Sequence, residues 1–161
     1  MRLLIFPLTL LMITLTACPG SHDWTEQERA EFRTNCAATD SVTNIVVMFR
    51  GFINEEFDSV LVREYSRDSV LVDTFMLYVW PAQSPEDIQR KNRSATIDRW
   101  LKLDHSYAFC AGDRKPFILS DMQMVMWAQY TMDGEGWDCV MGDYKIDGEH
   151  FEHNANPTFV K

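Results

Sequence analysis

The stretch Trp100-Leu101-Lys102-Leu103-Asp104-His105-Ser106-Tyr107-Ala108-Phe109-Cys110 decides the fold class. Leu101, Leu103, His105, Tyr107 and Phe109 fall on one face, and Lys102, Asp104, Ser106, Ala108 and Cys110 on the other. Period-two alternation is the mark of a half-buried antiparallel strand. The same period runs from Met122 to Met132, where Met122, Met124, Met126, Ala128, Tyr130 and Met132 are in register; a helix capped by Ser120 or Asp121 is the rival reading there. Upstream, Asn44 to Phe52 is a β-branched apolar run, and Val60 to Tyr65 is a second strand. Val70 to Trp80 is a third, placing Val70, Val72, Thr74, Met76, Tyr78 and Trp80 on one face. Cys139 to Ile146 reads as the last strong strand. Turn signals separate the runs at Asn54-Glu55-Glu56, Ser66-Arg67-Asp68, Gly112-Asp113-Arg114, Asp133-Gly134-Glu135-Gly136 and Asp147-Gly148. The clear helix start inside the domain is Ser84-Pro85-Glu86-Asp87, with a cap, a first-turn proline and acids at the positive helix end. That helix should be short, reaching about Asn92. Thr25 with Glu28 forms a capping box for a possible N-terminal helix over 24–34. These elements predict a mainly β chain, an antiparallel β-sandwich with one short helix in a connection.

The chain has 161 residues, 46% hydrophobic and 24% charged, which suits one folded domain and argues against wholesale disorder. Its formal charge of −9 lacks the basic stripe of a nucleic-acid-binding protein, so no nucleic acid partner is expected. Arg2 and the apolar run Leu3 to Leu15 read as an export leader too short to span a bilayer comfortably. The sequence Leu15-Thr16-Ala17-Cys18 resembles the bacterial lipobox. That resemblance implies cleavage after Ala17 and acylation of Cys18, which would hold the protein on a membrane through lipid. Pro19 is not the aspartate that retains many enteric lipoproteins in the inner membrane, so the resemblance favours an outer-membrane address. The expected divisions are a lipoprotein signal peptide at 1–17, a lipid-anchored tether at 18–42, a β-sandwich at 43–149 and a tail or final edge strand at 150–161.

A further set of residues carries a family likeness. A strand ends at Phe49-Arg50-Gly51-Phe52, then come Asp58-Ser59-Val60-Leu61-Val62-Arg63-Glu64-Tyr65, Asp73-Thr74 and the closing Tyr144-Lys145-Ile146-Asp147-Gly148. Together with the lipobox these resemble the small uncharacterised lipoproteins of Bacteroidota, over about 36–149. The resemblance implies an envelope lipoprotein with a β-sandwich and transfers no activity. The triplet Asp-Ser-Val, at Asp40-Ser41-Val42, Asp58-Ser59-Val60 and Asp68-Ser69-Val70, is similar to the short motif at which Bacteroidota attach O-glycans. By that likeness Ser41, Ser59 and Ser69 are glycosylation candidates. Turn-ending Asp-Ser followed by strand-starting valine explains the same triplets without modification.

With Cys18 acylated, three cysteines remain and three pairings are open. Cys36–Cys139 is favoured because it ties the two ends of the domain together, leaving Cys110 free. Met122, Met124 and Met126 would line one strand face, and soft thioethers select Cu(I). The competing reading is a core stripe, since methionine fills irregular gaps. His150-x-x-His153 could bind a metal on a helix, but the segment has no periodicity. His105 lies on an apolar face and reads as a hydrogen-bonded core histidine. The carboxylates of Asp133, Glu135 and Asp138 lack calcium-loop spacing. No cofactor and no catalytic residues are expected. The function expected is a non-enzymatic binding or structural module of the cell envelope with an unknown protein or glycan partner. The alternative is a copper-binding module built on Met122, Met124 and Met126.

Overall fold

The computed structural model describes residues 23–131, 134–152 and 156–161. Cys18, Asp133 and His153 lie outside the described residues. Helix α1 (Glu26–Ala37) starts as its capping box dictates: the Thr25 hydroxyl accepts the Glu28 N–H at 3.2 Å and the Glu28 carboxylate accepts the Thr25 N–H at 2.8 Å. Cys36 is its one buried residue, so little apolar surface docks this helix.

The domain is mainly β and compatible with a sandwich-like fold. Strands β1 (Ser41–Val42), β2 (Ile45–Arg50), β3 (Ser59–Tyr65) and β4 (Leu71–Tyr78) come first. Helix α2 (Pro85–Arg90), β5 (Asn92–Ile97), β6 (Leu101–Lys102) and β7 (Ser106–Cys110) follow. The long hairpin β8 (Phe117–Thr131) and β9 (Gly134–Ile146) precedes the short β10 (Glu149–Phe151) and β11 (Thr158–Val160). One sheet has the order β10-β9-β8-β7-β3-β4, antiparallel throughout. A second has the order β11-β2-β5, in which β11 runs parallel to β2, and β1 pairs with β6. Ile45, Val47 and Phe49 of β2 share one core with Val60 and Val62 of β3, Tyr107 and Phe109 of β7, Leu119 of β8 and Tyr144 of β9.

The deciding stretch keeps its two faces but is not one continuous strand. Leu101, Leu103, Tyr107 and Phe109 are all buried, yet a turn separates β6 from β7. There the Leu103 N–H donates to the Asp40 carbonyl at 2.9 Å and the His105 N–H to the Lys102 carbonyl at 3.3 Å. The methionine stretch is a strand, not a helix, and it begins earlier, at Phe117. On β4 the residues read as one face do share it, but it is the outer face: Val72, Met76 and Tyr78 are exposed, and Leu77 and Val79 point inward.

Two boundaries change. Residues 150–161 are not a tail outside the domain, because β11 completes the second sheet and Phe159, 0% exposed, is central to the core. Its ring lies 4.6 Å from that of Phe109, 5.2 Å from Phe117 and 5.3 Å from Phe49. A three-residue strand sends one side chain inward, too few to display a period. The tether is also shorter than 18–42, since α1 and β1 belong to the folded unit, with Val42 packed against the core. Strand β5 was hidden for a different reason. Its inward positions are Arg93, Ala95 and Ile97, and a cation there breaks the apolar pattern. Arg93 is 2% exposed. Its guanidinium donates to the carbonyls of Phe57 and, at 3.2 Å, Val79, and lies 4.9 Å from the Phe57 ring centre. It thereby ties β5 to the loop before β3 and the end of β4.

Candidate functional site

A cleft of about 610 Å³ opens between the end of α1 and β8. Ala37, Thr39 and Asp40 form one wall, Lys102 to His105 of the β6–β7 turn another, and Met122, Gln123 and Met124 of β8 the floor. Its position follows from the disulfide. Cys36 is bonded to Cys139, whose backbone pairs with Met126, so the bridge pins the poorly buried helix over β8 and β9. The pairing is the one favoured from sequence. Among the described residues Cys110 carries a free thiol. It alternates with Phe109 on β7 and therefore faces away from the core side where the cleft lies.

Behind the cleft wall lies a polar chain. Glu64, at an inward position of β3 opposite Tyr107, is 7% exposed. Its Oε1 accepts from His105 Nδ1 at 2.7 Å and lies 3.2 Å from the Tyr107 hydroxyl. That hydroxyl accepts the Lys102 N–H at 2.7 Å, and its proton is shared between Glu64 and the Lys102 carbonyl, 3.2 Å away. Burial, and then the charge of Glu64, push the Tyr107 phenol well above its ordinary range, so it stays protonated. A carboxylate facing Nδ1 makes that nitrogen the donor, so that in the neutral ring Nε2 is the acceptor. Asp104 Oδ1, 3.9 Å from Nε2, is beyond hydrogen-bond distance. At the mouth, Lys102 Nζ donates to Asp40 Oδ2 at 3.0 Å. That bond, followed by one from Ser41, holds the Asp40 carboxyl below its ordinary value.

β8 is irregular where it forms the floor. Its pairing with β9 shifts between Ser120 and Gln123 and again between Gln123 and Met124, and Asp121 has φ 52°. The bulge re-aims side chains. Met122 is buried, Met124 half-buried, and both reach the cleft. Met126 does not line it; it lies farther along, opposite Cys139. The three methionines therefore do not form a set, whereas two of them share the cleft with His105.

No protein-family model, curated protein or solved structure matches the chain.

The remaining candidates scatter. Ser59 and Ser69 are exposed at the start of β3 and in the turn before β4. Ser41 is half-buried, its hydroxyl donating to Asp40 Oδ1 at 2.8 Å. His150 sits on β10, its Nδ1 3.7 Å from Glu152 Oε1. Asp138 belongs to β9 and accepts from the Gln129 side chain. Among the described residues no group of three His, Cys, Asp or Glu side chains could hold a metal. Sequence reasoning missed Glu64. Its one signal was a carboxylate at the inward register of Val60 and Val62, which marks a charge that the fold must partner.

Proposed function

We propose that this protein is a lipid-anchored envelope module that binds a small ligand in the cleft beneath α1. The observation that carries the binding reading is the cleft itself. It is a concave site in which the two methionines of the floor meet a few oriented polar groups. The geometry favours binding over catalysis. Glu64 and Tyr107 are committed to His105, to each other and to backbone, and the Cys110 thiol is on the other face of its sheet. The address rests on the lipobox-like Leu15-Thr16-Ala17-Cys18 and on the disulfide, a bond that persists in oxidising compartments outside the cytosol. The Bacteroidota-type lipoprotein reading is supported by that lipobox together with the strand and turn signatures from Phe49 to Gly148, and the outer-membrane address by Pro19.

The binding reading is tested by thermal-shift titration of the mature chain against a panel of sugars, amino acids, dicarboxylates and metal ions. The same titration is run on the cleft-filling variants Thr39→Trp and Gln123→Trp. A ligand at about one hundred times its Kd stabilises the folded state by roughly 2.7 kcal/mol. At least one panel class should raise Tm in the wild type and not in the filled variants. A flat response across the panel, or shifts that survive filling, would overturn the reading.

A further inference from the structure

Resting on that cleft reading, we infer that the cleft is a Cu(I) site whose donors are the thioethers of Met122 and Met124 and Nε2 of His105. The three side chains line one cleft although they come from β8 and from the β6–β7 turn. Two thioethers and an imidazole form a soft donor set, which suits Cu(I) and discriminates against cations that need oxygen ligands. Thioethers also need no deprotonation, and they are not consumed by disulfide formation under the conditions that oxidise Cys36 and Cys139.

The strongest support lies one shell out. Imidazoles that ligate metals generally donate their other ring N–H to a carboxylate, which fixes the tautomer and raises the basicity of the ligating nitrogen. Glu64 is placed for that role. It is buried, 2.7 Å from His105 Nδ1, and is itself steadied by Tyr107, whose hydroxyl is fixed by the Lys102 backbone. A buried carboxylate on a core-facing β3 position is expensive. Orienting the imidazole of His105 gives it a purpose that core packing does not. Glu64 is thus a positioning residue, and at the mouth Lys102 is paired with Asp40 while Asp104 of the same wall leaves a net negative charge toward an entering monovalent cation.

The experiment is anaerobic titration of the mature chain with Cu(I) against a chromophoric Cu(I) chelator, disulfide intact, with Zn(II) as the borderline-metal comparison. One equivalent of Cu(I) should bind. The Met122→Leu/Met124→Leu double variant and His105→Phe should each weaken binding at least a hundredfold. Met126→Leu and Cys110→Ser should leave it unchanged, the latter excluding the free thiol. Glu64→Leu should weaken it tenfold to a hundredfold, while Glu64→Gln, whose amide oxygen still accepts from Nδ1, should stay within tenfold of wild type. Circular dichroism confirms that each variant is folded, and Met→Leu changes conserve volume. Absence of bound Cu(I), or full affinity in the double methionine variant or in His105→Phe, overturns the assignment, as does Zn(II) binding more tightly than Cu(I). If Cu(I) fails while another panel member still stabilises the wild type but not the filled variants, the copper assignment falls and the cleft reading stands.

Discussion

Removing the disulfide gives the sharpest test of how this domain is held together. Cys36 and Cys139 are 103 residues apart in sequence. Closing a loop of that size restricts the unfolded chain by about 16 cal/mol/K in the chain-entropy model, or about 4.7 kcal/mol at 25 °C. The double variant Cys36→Ala/Cys139→Ala should lose roughly that much unfolding free energy. At roughly 3 °C per kcal/mol for a domain of this size, Tm should fall by about 15 °C. The structure adds a spatial expectation. Because Cys36 is the one buried residue of α1, the helix has little else to hold it against β8 and β9. Hydrogen exchange in the variant should therefore show the amides of α1 losing protection first, while β2, β3 and β7 keep theirs. The assays are urea unfolding with the m-value monitored and amide exchange by mass spectrometry. A loss below about 1 kcal/mol with α1 still protected would refute the reasoning, since neither the crosslink nor its role as the helix clamp would then matter.

Other outcomes follow from particular residues. Phe159→Ala should cost about 3–5 kcal/mol by urea unfolding, because the ring fills the centre of an aromatic cluster from three other strands; a cost typical of a surface tail would contradict the parallel β11–β2 pairing. A Cβ at Gly142 would lie 2.1 Å from Val125 Cγ2. Gly142→Ala should therefore destabilise by about 1–3 kcal/mol, and Val125→Ala in the same chain should recover part of it in a double-mutant cycle. Burial pushes the Tyr144 phenol up to about 12, and its hydroxyl has no hydrogen-bond partner among the described residues. A raised phenol favours the protonated fold, so its contribution is complete below the ordinary value near 10 and is lost as pH rises toward about 12. Urea midpoints should fall over that window, less steeply in Tyr144→Phe, and at neutral pH that variant should be as stable as the wild type or more so.

The parts of this fold that show in the sequence are those where a single face decides burial. Leu101, Leu103, Tyr107 and Phe109 announce their face by alternation, and it survives the interruption between β6 and β7. Thr25 with Glu28, and Ser84 with Pro85, announce helix starts because capping is local chemistry. Strand β4 shows the limit of the same signal. Its two faces are both apolar, so period two groups Val72, Met76 and Tyr78 correctly without saying that they point outward. Strand β5 is illegible because Arg93 occupies a core position, and β11 shows in the sequence only as the alternative of a final edge strand, its place in the core hidden because Phe159 is alone in its strand. The cleft was half legible. Met122 and Met124 stand out by spacing, but their partners Glu64 and His105 come from β3 and from a distant turn. Their meeting depends on strand order, which no local pattern carries. Met126 drops out because it stands two residues farther along β8 than Met124, opposite Cys139 and beyond the cleft lining.

We propose a disulfide-clamped binding domain carried on lipid at Cys18. Intact mass spectrometry of the protein from its native envelope, with and without reduction, tests it most directly. The account requires a chain that begins at acylated Cys18 and gains two hydrogens on reduction; hexose-sized increments would in addition locate sugar on the Asp-Ser-Val serines. A mature chain without acylation at Cys18, or one whose mass does not change on reduction, would contradict it.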